Sequence, residues 1–130
     1  LGRYKAAINF YDKYLEVCEE FHDIVGRGTV LNNLANCCLQ SEMAAECRDY
    51  LNMALENHQT LYQVTVEKGP QSVTQRLVFL NQVRQTYRIA VELYLKCGMV
   101  EDALEWAERG KVRGALDNMT RVVHDQGQGD

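Results

Sequence analysis

Apolar residues recur every three or four positions along most of this 130-residue chain, and no stretch alternates apolar and polar residues as a strand would. This spacing puts apolar side chains on one face of a helix, so it predicts amphipathic α-helices. Three stretches, residues 1–16, 31–56 and 87–110, share one order: a turn, then a helix with small residues on its buried face. In the last two, a further helix precedes the turn. The pattern predicts an all-α chain of helical hairpins.

Small residues mark the places where successive helices should touch. On the second helix of each predicted hairpin, these small residues are Ala7, Cys47, Ala54 and Ala103. On the first helix, they belong to the pairs Leu34-Ala35 and Ala90-Val91. The turns carry Gly2, Glu42 and Gly98. These stretches resemble tetratricopeptide repeats, a family of helical hairpins. The resemblance implies an α-solenoid, a right-handed superhelical stack of antiparallel helix hairpins in which large residues pack against small ones.

One hairpin is predicted to be longer than the others. Turn positions 2 and 42 are 40 residues apart and positions 42 and 98 are 56 apart, while the repeat period of the family is about 34 residues. The extra residues add about three turns to each of two helices and leave their buried faces aligned. We predict helices over Met43–Lys68 and Ser72–Cys97, interrupted at Gly69-Pro70. Ser72 and Gln75 match the capping box that starts a helix.

The domain organisation follows from these repeats. We predict one helical repeat domain over residues 1–124, made of a partial repeat (1–25) and repeats at 28–68 and 71–123, followed by a disordered tail (125–130). Because the first stretch begins at a turn, we expect a longer parent protein. Preceding residues or another chain would then cover the stripe of Ile8, Tyr11 and Leu15. Residues 107–117 resemble the last repeat helix before caspase-like CHAT domains, which concerns that parent protein.

We expect the core to contain the large apolar residues that the helical period places on the same face as the small residues. They are Leu31, Leu34, Tyr50, Leu51, Leu55, Leu77, Leu80, Tyr87, Val91, Tyr94, Leu104 and Trp106. On the extended hairpin, Tyr62, Val64 and Val66 could either cover a core or face an interface.

Charge and hydropathy narrow the possible partners. The net charge is −4 and the isoelectric point is about 5.4, which disfavours a nucleic-acid surface because such a surface needs clustered basic residues. The basic residues from Arg109 to Arg121 alternate with Glu and Asp, as on a solvated helix face. No apolar run is long enough for a transmembrane helix. We therefore predict a partner that is neither nucleic acid nor membrane.

The five cysteines are odd in number and fall in predicted helices, which indicates a reducing, cytoplasmic setting with cysteines in the core. No Cys-x-x-Cys or His-x-x-x-His pair predicts a metal site, and no motif predicts a cofactor. Cys18 and His22 lie one turn apart, and we interpret them as a half-buried cysteine beside a helix-terminal histidine. The sequence therefore favours a protein that is not an enzyme.

The resemblance also predicts a binding surface, since first helices of such repeats line a concave groove that holds a partner peptide or helix. The corresponding positions are Thr29, Asn32, Asn33, Asn36, Leu39 and Gln40 in one repeat and Gln85, Arg88, Ile89, Glu92 and Lys96 in the next. Asn32 and Asn36 share a helix face, and their amides could bond to a peptide backbone. Arg88 could bind a carboxylate. The chain is thus predicted to be a protein-interaction scaffold.

Two alternatives remain open. The polar residues of this row could simply be solvated. The chain could also be a self-assembly module that forms homo-oligomers through its terminal repeats, because Ala103, Ala107, Gly110 and Gly114 form a stripe of small residues that another helix could approach closely.

Overall fold

A computed structural model describes residues 2–67 and 72–111 of the chain. Within these ranges the chain is entirely helical, without strands. The helices are α1 (Gly2–Glu20), α2 (Ile24–Gln40), α3 (Ala44–Glu67) and α4 (Val73–Lys96), followed by α5, which is described over residues 100–111. The prediction of an all-α protein is confirmed.

The extended hairpin is formed by α3 and α4. Each has 24 residues, whereas α1 has 19 and α2 has 17. The predicted bounds of both long helices agree with the observed ones to within one residue. At the start of α4 the Ser72 Oγ accepts a hydrogen bond from the Gln75 backbone N–H, and the Gln75 Oε1 accepts one from the Ser72 N–H, both at 3.1 Å. The predicted capping box is therefore present.

Three turns between helices share one backbone geometry. His22, Glu42 and Gly98 adopt left-handed conformations with φ of 54°, 61° and 73°. The residue after each donates a 2.8 Å hydrogen bond to the carbonyl five residues earlier, which is the Schellman ending of a helix. The turns at 42 and 98 were predicted, but the one at 22 was not. Gly2 is the first residue of α1, and the residue before it is outside the described range.

Glu42 offers a direct test of this turn geometry. A left-handed conformation costs a residue with a Cβ about 1 kcal/mol, and glycine avoids that cost. We expect Glu42→Gly to raise the free energy of unfolding by about 1 kcal/mol, measured by urea denaturation. Ser41→Gly is the matched control. Ser41 has φ of −91° and its Oγ donates to the Cys37 carbonyl at 2.8 Å, so glycine there should destabilise the protein. A loss of stability in both variants would contradict the prediction.

The helices pack against their neighbours in the chain, with α2 at the centre. Three-residue turns join α1 to α2 and α2 to α3, and α2 contacts α1, α3 and α4. The predicted boundary between residues 25 and 28 is wrong, because both positions lie inside α2, which begins at Ile24. Asp23 caps that helix through a 2.9 Å hydrogen bond from the Gly26 N–H to its Oδ1, so the N-cap rather than the repeat period sets the start.

Two groups of buried residues form the core. The larger joins α2, α3 and α4 and contains Ala35, Cys38, Leu39, Cys47, Leu51, Ile89, Ala90 and Leu93, with Trp106 of α5 packed against it. The smaller, of Cys18, Val30 and Leu34, joins α1 and α2. The small residues Cys47, Ala54 and Ala103 are buried as predicted, and Ala7 is half-buried.

The predicted core was correct for some large residues and wrong for two. Leu31, Leu34 and Leu51 are buried, and seven others are half-buried: Tyr50, Leu55, Leu80, Tyr87, Val91, Tyr94 and Trp106. Leu77 is 47% exposed and Leu104 is 60% exposed. Periodicity places these two on apolar faces, but no described neighbour covers them there. Tyr62, whose role the sequence left open, is 46% exposed and its ring centroid lies 6.4 Å from that of Phe79.

Several predictions fall outside the described residues. They concern the break at Gly69-Pro70, the glycine at 114, the last part of the third repeat and the tail at 125–130. The described helices include none with the length and hydrophobicity needed to cross a membrane.

Candidate functional site

The predicted binding row on α2 divides between surface and interior. Thr29 and Gln40 are exposed, and Asn33 and Asn36 are half-buried. Asn32 is 0% exposed and Leu39 is 2% exposed. Assigning these two residues to a partner-binding surface was wrong, because their side chains face neighbouring helices instead of solvent.

Asn32 is instead part of a buried polar network between α2 and α4. Its Nδ2 donates to the Gln82 carbonyl at 3.0 Å, and its Oδ1 lies 2.6 Å from the Thr86 Oγ1, which donates to it. Gln82 Nε2 donates back to α2, to the Val25 carbonyl at 2.8 Å and the Thr29 Oγ1 at 3.0 Å. The network fixes the register of α4 against α2, because each buried amide needs its own partner.

His58 of α3 extends this network to a third helix. Its Nε2 lies 2.7 Å from the Thr86 Oγ1. The single hydroxyl proton of Thr86 is directed to Asn32 Oδ1 or to the Gln82 carbonyl, 2.9 Å away. With that proton directed to either acceptor, the His58 tautomer that carries its proton on Nε2 completes the network by donating to Thr86. His58 is itself buried, with 4% of its surface exposed.

Gly28 allows the helices of this network to approach each other. A Cβ added there would collide with the Gln82 Oε1 and would lie 3.0 Å from the Asn57 Nδ2. Asn57 Nδ2 donates to the Ile24 carbonyl at 2.9 Å, and Arg27 Nη1 donates to the Asn57 Oδ1 at 3.2 Å. The beginning of α2 is thus held by polar side chains from α3 and α4, and we interpret this region as structural.

A signal for this network was present in the sequence. Asn32 is in phase with Gly28, Ala35 and Leu39, and His58 continues the buried stripe of Cys47, Leu51 and Ala54. Gln82 and Thr86 precede Ile89 and Leu93 on the same face. When polar residues interrupt the apolar stripe of several helices, they indicate hydrogen bonds that are buried between those helices.

The predicted row on α4 remains at the surface, apart from one residue. Arg88 and Lys96 are exposed, and Gln85 and Glu92 are half-buried. Arg88 Nη1 lies 3.4 Å from Glu92 Oε1, one turn further along the helix. Ile89 is fully buried, so its assignment to the binding surface was wrong.

A groove with a volume of about 280 Å³ runs along α4 and α5. Its lining is mostly apolar and aromatic, with cationic side chains: Leu80, Val83, Arg84, Tyr87, Arg88, Val91, Trp106, Ala107, Gly110 and Lys111. Arg88 therefore belongs both to the predicted row and to this groove. The groove cannot be read from local sequence, because its two sides come from different helices.

Trp106 holds the two sides of the groove together. Its ring stacks on Tyr94 with centroids 6.2 Å apart and lies 5.6 Å from the Tyr87 ring. The Arg109 guanidinium lies 5.5 Å from its centroid, in a cation–π contact. Gly110 permits close approach to Tyr87, since a Cβ there would lie 3.4 Å from the Tyr87 Cβ. The predicted stripe of small residues thus serves partly to pack α5 against α4.

The cysteines are all free thiols. Cys18, Cys38 and Cys47 are buried, and Cys97, at the end of α4, is exposed. Burial raises the pKa of the Cys18 thiol, which disfavours the nucleophilic thiolate. Burial likewise raises the pKa of Cys38 to about 11 and that of Cys47 to about 12. Over the described residues no group of His, Cys, Asp and Glu side chains is arranged to hold a metal ion.

The raised pKa values of these buried thiols predict that the protein loses stability at alkaline pH. Burial, with the hydrogen bond that the Tyr50 hydroxyl donates to Asp12, raises the pKa of Tyr50 to about 12. From about pH 9 the unfolded chain releases thiol protons that the folded chain retains, so the unfolded state is favoured as pH rises. We expect the free energy of unfolding to fall steadily between about pH 9 and 11, measured by urea denaturation.

Two variants test the cause of this pH dependence. Cys47→Ala removes one of the buried acids and should make the fall with pH shallower. Leu51→Ala destabilises the same core group without removing a titratable side chain, so it should keep the slope of the unchanged protein. Equal slopes in the two variants would contradict the assignment of the effect to the buried thiol.

The described residues thus define an all-α protein with an apolar groove that carries cationic side chains. Compared with protein-family models, curated proteins and solved structures, the chain matches none of them.

Proposed function

We propose that this chain is a non-catalytic protein-interaction scaffold that binds a partner peptide or helix. We further propose that its hairpins form a right-handed superhelical stack of the tetratricopeptide type. Support for that arrangement comes from the repeated left-handed turns at His22, Glu42 and Gly98 and from the buried small residues Cys47 and Ala103. Because all five cysteines are free thiols, we propose a reducing compartment, the cytoplasm, as its location.

The groove along α4 and α5 is the observation that carries this proposal. Its apolar floor includes Val83, Tyr87 and Trp106, while Arg84, Arg88 and Lys111 supply positive charge. An apolar depression with aromatic and arginine side chains is typical of sites that anchor a partner. The cations favour a partner segment that carries Asp or Glu beside its apolar residues.

We include in the proposed binding surface the residues of the predicted row that are not buried. On α4 they are Gln85, Arg88, Glu92 and Lys96, and on α2 they are Asn33, Asn36 and Gln40. Half-buried amides can bond to a peptide backbone without losing much side-chain freedom. We propose that the groove supplies most of the affinity and that this row orients the bound segment.

Trp106 is the single tryptophan of the chain, so its fluorescence reports occupation of the groove directly. Two synthetic helical peptides would share one apolar stripe and differ only in flanking residues, Glu in one and Lys in the other. We expect a saturable fluorescence change with the acidic peptide and at least tenfold weaker binding of the basic one.

Variants link this binding to named side chains. The double substitution Arg84→Glu and Arg88→Glu should lower the affinity for the acidic peptide at least tenfold. Arg48→Glu, at an exposed position of α3, is the matched control and should not change the affinity. Equal binding of both peptides, or an affinity unaffected at Arg84 and Arg88, would show that the groove is not the binding site.

Self-assembly is a second candidate function, and a different surface supports it. Phe10, Tyr14 and Val17 of α1 are large apolar side chains that are exposed.

A further inference from the structure

The turn after α2 and the turn after α4 repeat the same hydrogen bonds with one constant offset. Met43 donates to the Cys38 carbonyl and Met99 donates to the Tyr94 carbonyl, both at 2.8 Å. Positions 43 and 99 are 56 residues apart, and so are positions 38 and 94. Around these turns, each residue of the pair α2 and α3 therefore has a counterpart 56 positions later in the pair α4 and α5.

The pair α2 and α3 holds α4 partly through polar contacts on α2. A Cβ on Gly28 would collide with the Gln82 Oε1 of α4. Asn32 donates to the Gln82 carbonyl at 3.0 Å and accepts from the Thr86 hydroxyl at 2.6 Å. Gln82 and Thr86 are one helical turn apart, so α4 presents two polar residues on one face to this part of α2.

The apolar part of the same contact follows further along α4. Ile89 and Leu93 are buried in one group with Ala35 of α2 and Leu51 of α3. The four contact residues of α4 are spaced by four, three and four positions, which places them on one face of the helix. Thus α4 lies on both helices of the preceding pair, with its polar contacts first and its apolar contacts after them.

The groove between α4 and α5 contains the counterparts of these contact positions. The counterparts of Gly28, Asn32, Ala35 and Leu51, in that order, are Arg84, Arg88, Val91 and Ala107. All four line the groove. The residues that hold α4 are buried, whereas their counterparts are exposed or half-buried. The groove is therefore the surface of the second helix pair that corresponds to the seat of α4 on the first, and its described lining comes from α4 and α5 alone.

The groove differs from the seat of α4 in its charge. The two polar contact positions on α2 are a glycine and an asparagine, whereas their counterparts on α4 are Arg84 and Arg88. Arg84 forms no ion pair with another described residue. Arg88 lies 3.4 Å from Glu92 in an exposed pair, which stabilises little. Both guanidinium groups can therefore bind carboxylates of an incoming segment.

We infer that the groove binds an amphipathic helix of another protein, seated as α4 is seated on α2 and α3. That helix carries four contact residues with the spacing of four, three and four positions found in α4. The first two are Asp or Glu, which pair with the arginines, and the last two are large apolar residues. No segment of the 130 residues has this pattern, so the partner is not a second copy of this chain. The inference rests on the proposed function and adds the conformation and residue pattern of the partner.

The fluorescence of Trp106, which lines the groove, tests this inference with three synthetic peptides. The first has two glutamates and two leucines in the stated pattern on an alanine-rich helical background. The second has the same composition, with each glutamate moved by two positions so that both lie on the other side of the helix. The third has a proline between the second glutamate and the first leucine, which breaks the helix. We expect saturable binding of the first peptide and at least tenfold weaker binding of the other two.

The outcomes separate this inference from the proposed function. Equal binding of the first and second peptides overturns the residue pattern, and equal binding of the first and third overturns the helical conformation. In both cases the groove still binds an acidic partner, so the proposed function stands. If none of the three peptides binds, the proposed function fails and this inference fails with it.

Exchange of charges tests the register of the bound helix. Because Thr86 contacts Asn32, whose counterpart is Arg88, the second glutamate of the peptide should pair with Arg88. Arg88→Glu should weaken the first peptide about tenfold, and lysine at the second glutamate should restore binding at least threefold better than lysine at the first. Arg84→Glu should show the opposite preference. Both arginines are exposed, so circular dichroism should show unchanged helix content. Equal restoration by either lysine would contradict the register.

Discussion

Replacing Leu51 by Ala should lower the free energy of unfolding by about 3 kcal/mol, because it leaves a cavity that the surrounding helices cannot close. Leu51 is 2% exposed and belongs to the larger buried group, which joins α2, α3 and α4. Its neighbours in that group include Ile89 and Leu93, so the cavity would open between helices that hold each other in place. Urea denaturation followed by circular dichroism measures the change.

Leu104→Ala is the control for this prediction. Sequence periodicity assigned Leu104 to the core together with Leu51, but Leu104 is 60% exposed. Its truncation should cost less than about 0.5 kcal/mol. If the two substitutions had similar costs, the packing of α3 against α2 and α4 would be wrong, or Leu104 would be covered in solution.

Replacing Asn32 by Asp is expected to have an effect of similar size, about 3 kcal/mol of destabilisation at neutral pH. The two side chains have nearly the same shape, so the change concerns charge and hydrogen bonding alone. Aspartate loses the N–H donor that bonds the Gln82 carbonyl at 3.0 Å. It would place a carboxylate oxygen against that carbonyl, at a position with no solvent exposure.

Asn36→Asp is the matched control, one turn further along α2. Asn36 is half-buried, so a carboxylate there keeps part of its hydration and should cost less than about 0.5 kcal/mol. Thermal denaturation of the two variants at equal concentration gives the comparison. Similar melting temperatures would show that Asn32 is accessible to solvent, as a partner-binding residue would be, and would contradict the buried network.

The comparison of Asn32 with Asn36 shows where prediction of the site failed. Both residues are Asn, both lie on the first helix of a hairpin, and a separation of one turn gives them similar directions on that helix. Their environments differ because the Gln82 backbone carbonyl and the Thr86 side chain of α4 form hydrogen bonds with Asn32. Residues 50 or more positions away in the chain decided this difference, and local spacing contains no information about them.

The groove illustrates the same limit. Tyr87, Val91 and Trp106 were all predicted as core residues from their phase, and each is half-buried. Together with Gly110 and Arg88 they line a depression between two helices. Periodicity identifies an apolar face, but it does not say whether another helix covers that face completely, partly or not at all.

By itself the sequence determined the local structure of this protein. The period of the apolar residues specified helices, the pair Ser72 and Gln75 specified where α4 begins, and the long interval between turns at Glu42 and Gly98 specified an extended hairpin. These features depend on side chains within a few residues of each other, so a linear pattern contains them. The tertiary structure alone decided that Asn32 and His58 are buried, that Leu77 and Leu104 are exposed, and that Phe10 of α1 is exposed. Burial depends on which helices meet, and that is set by contacts between residues far apart in the chain.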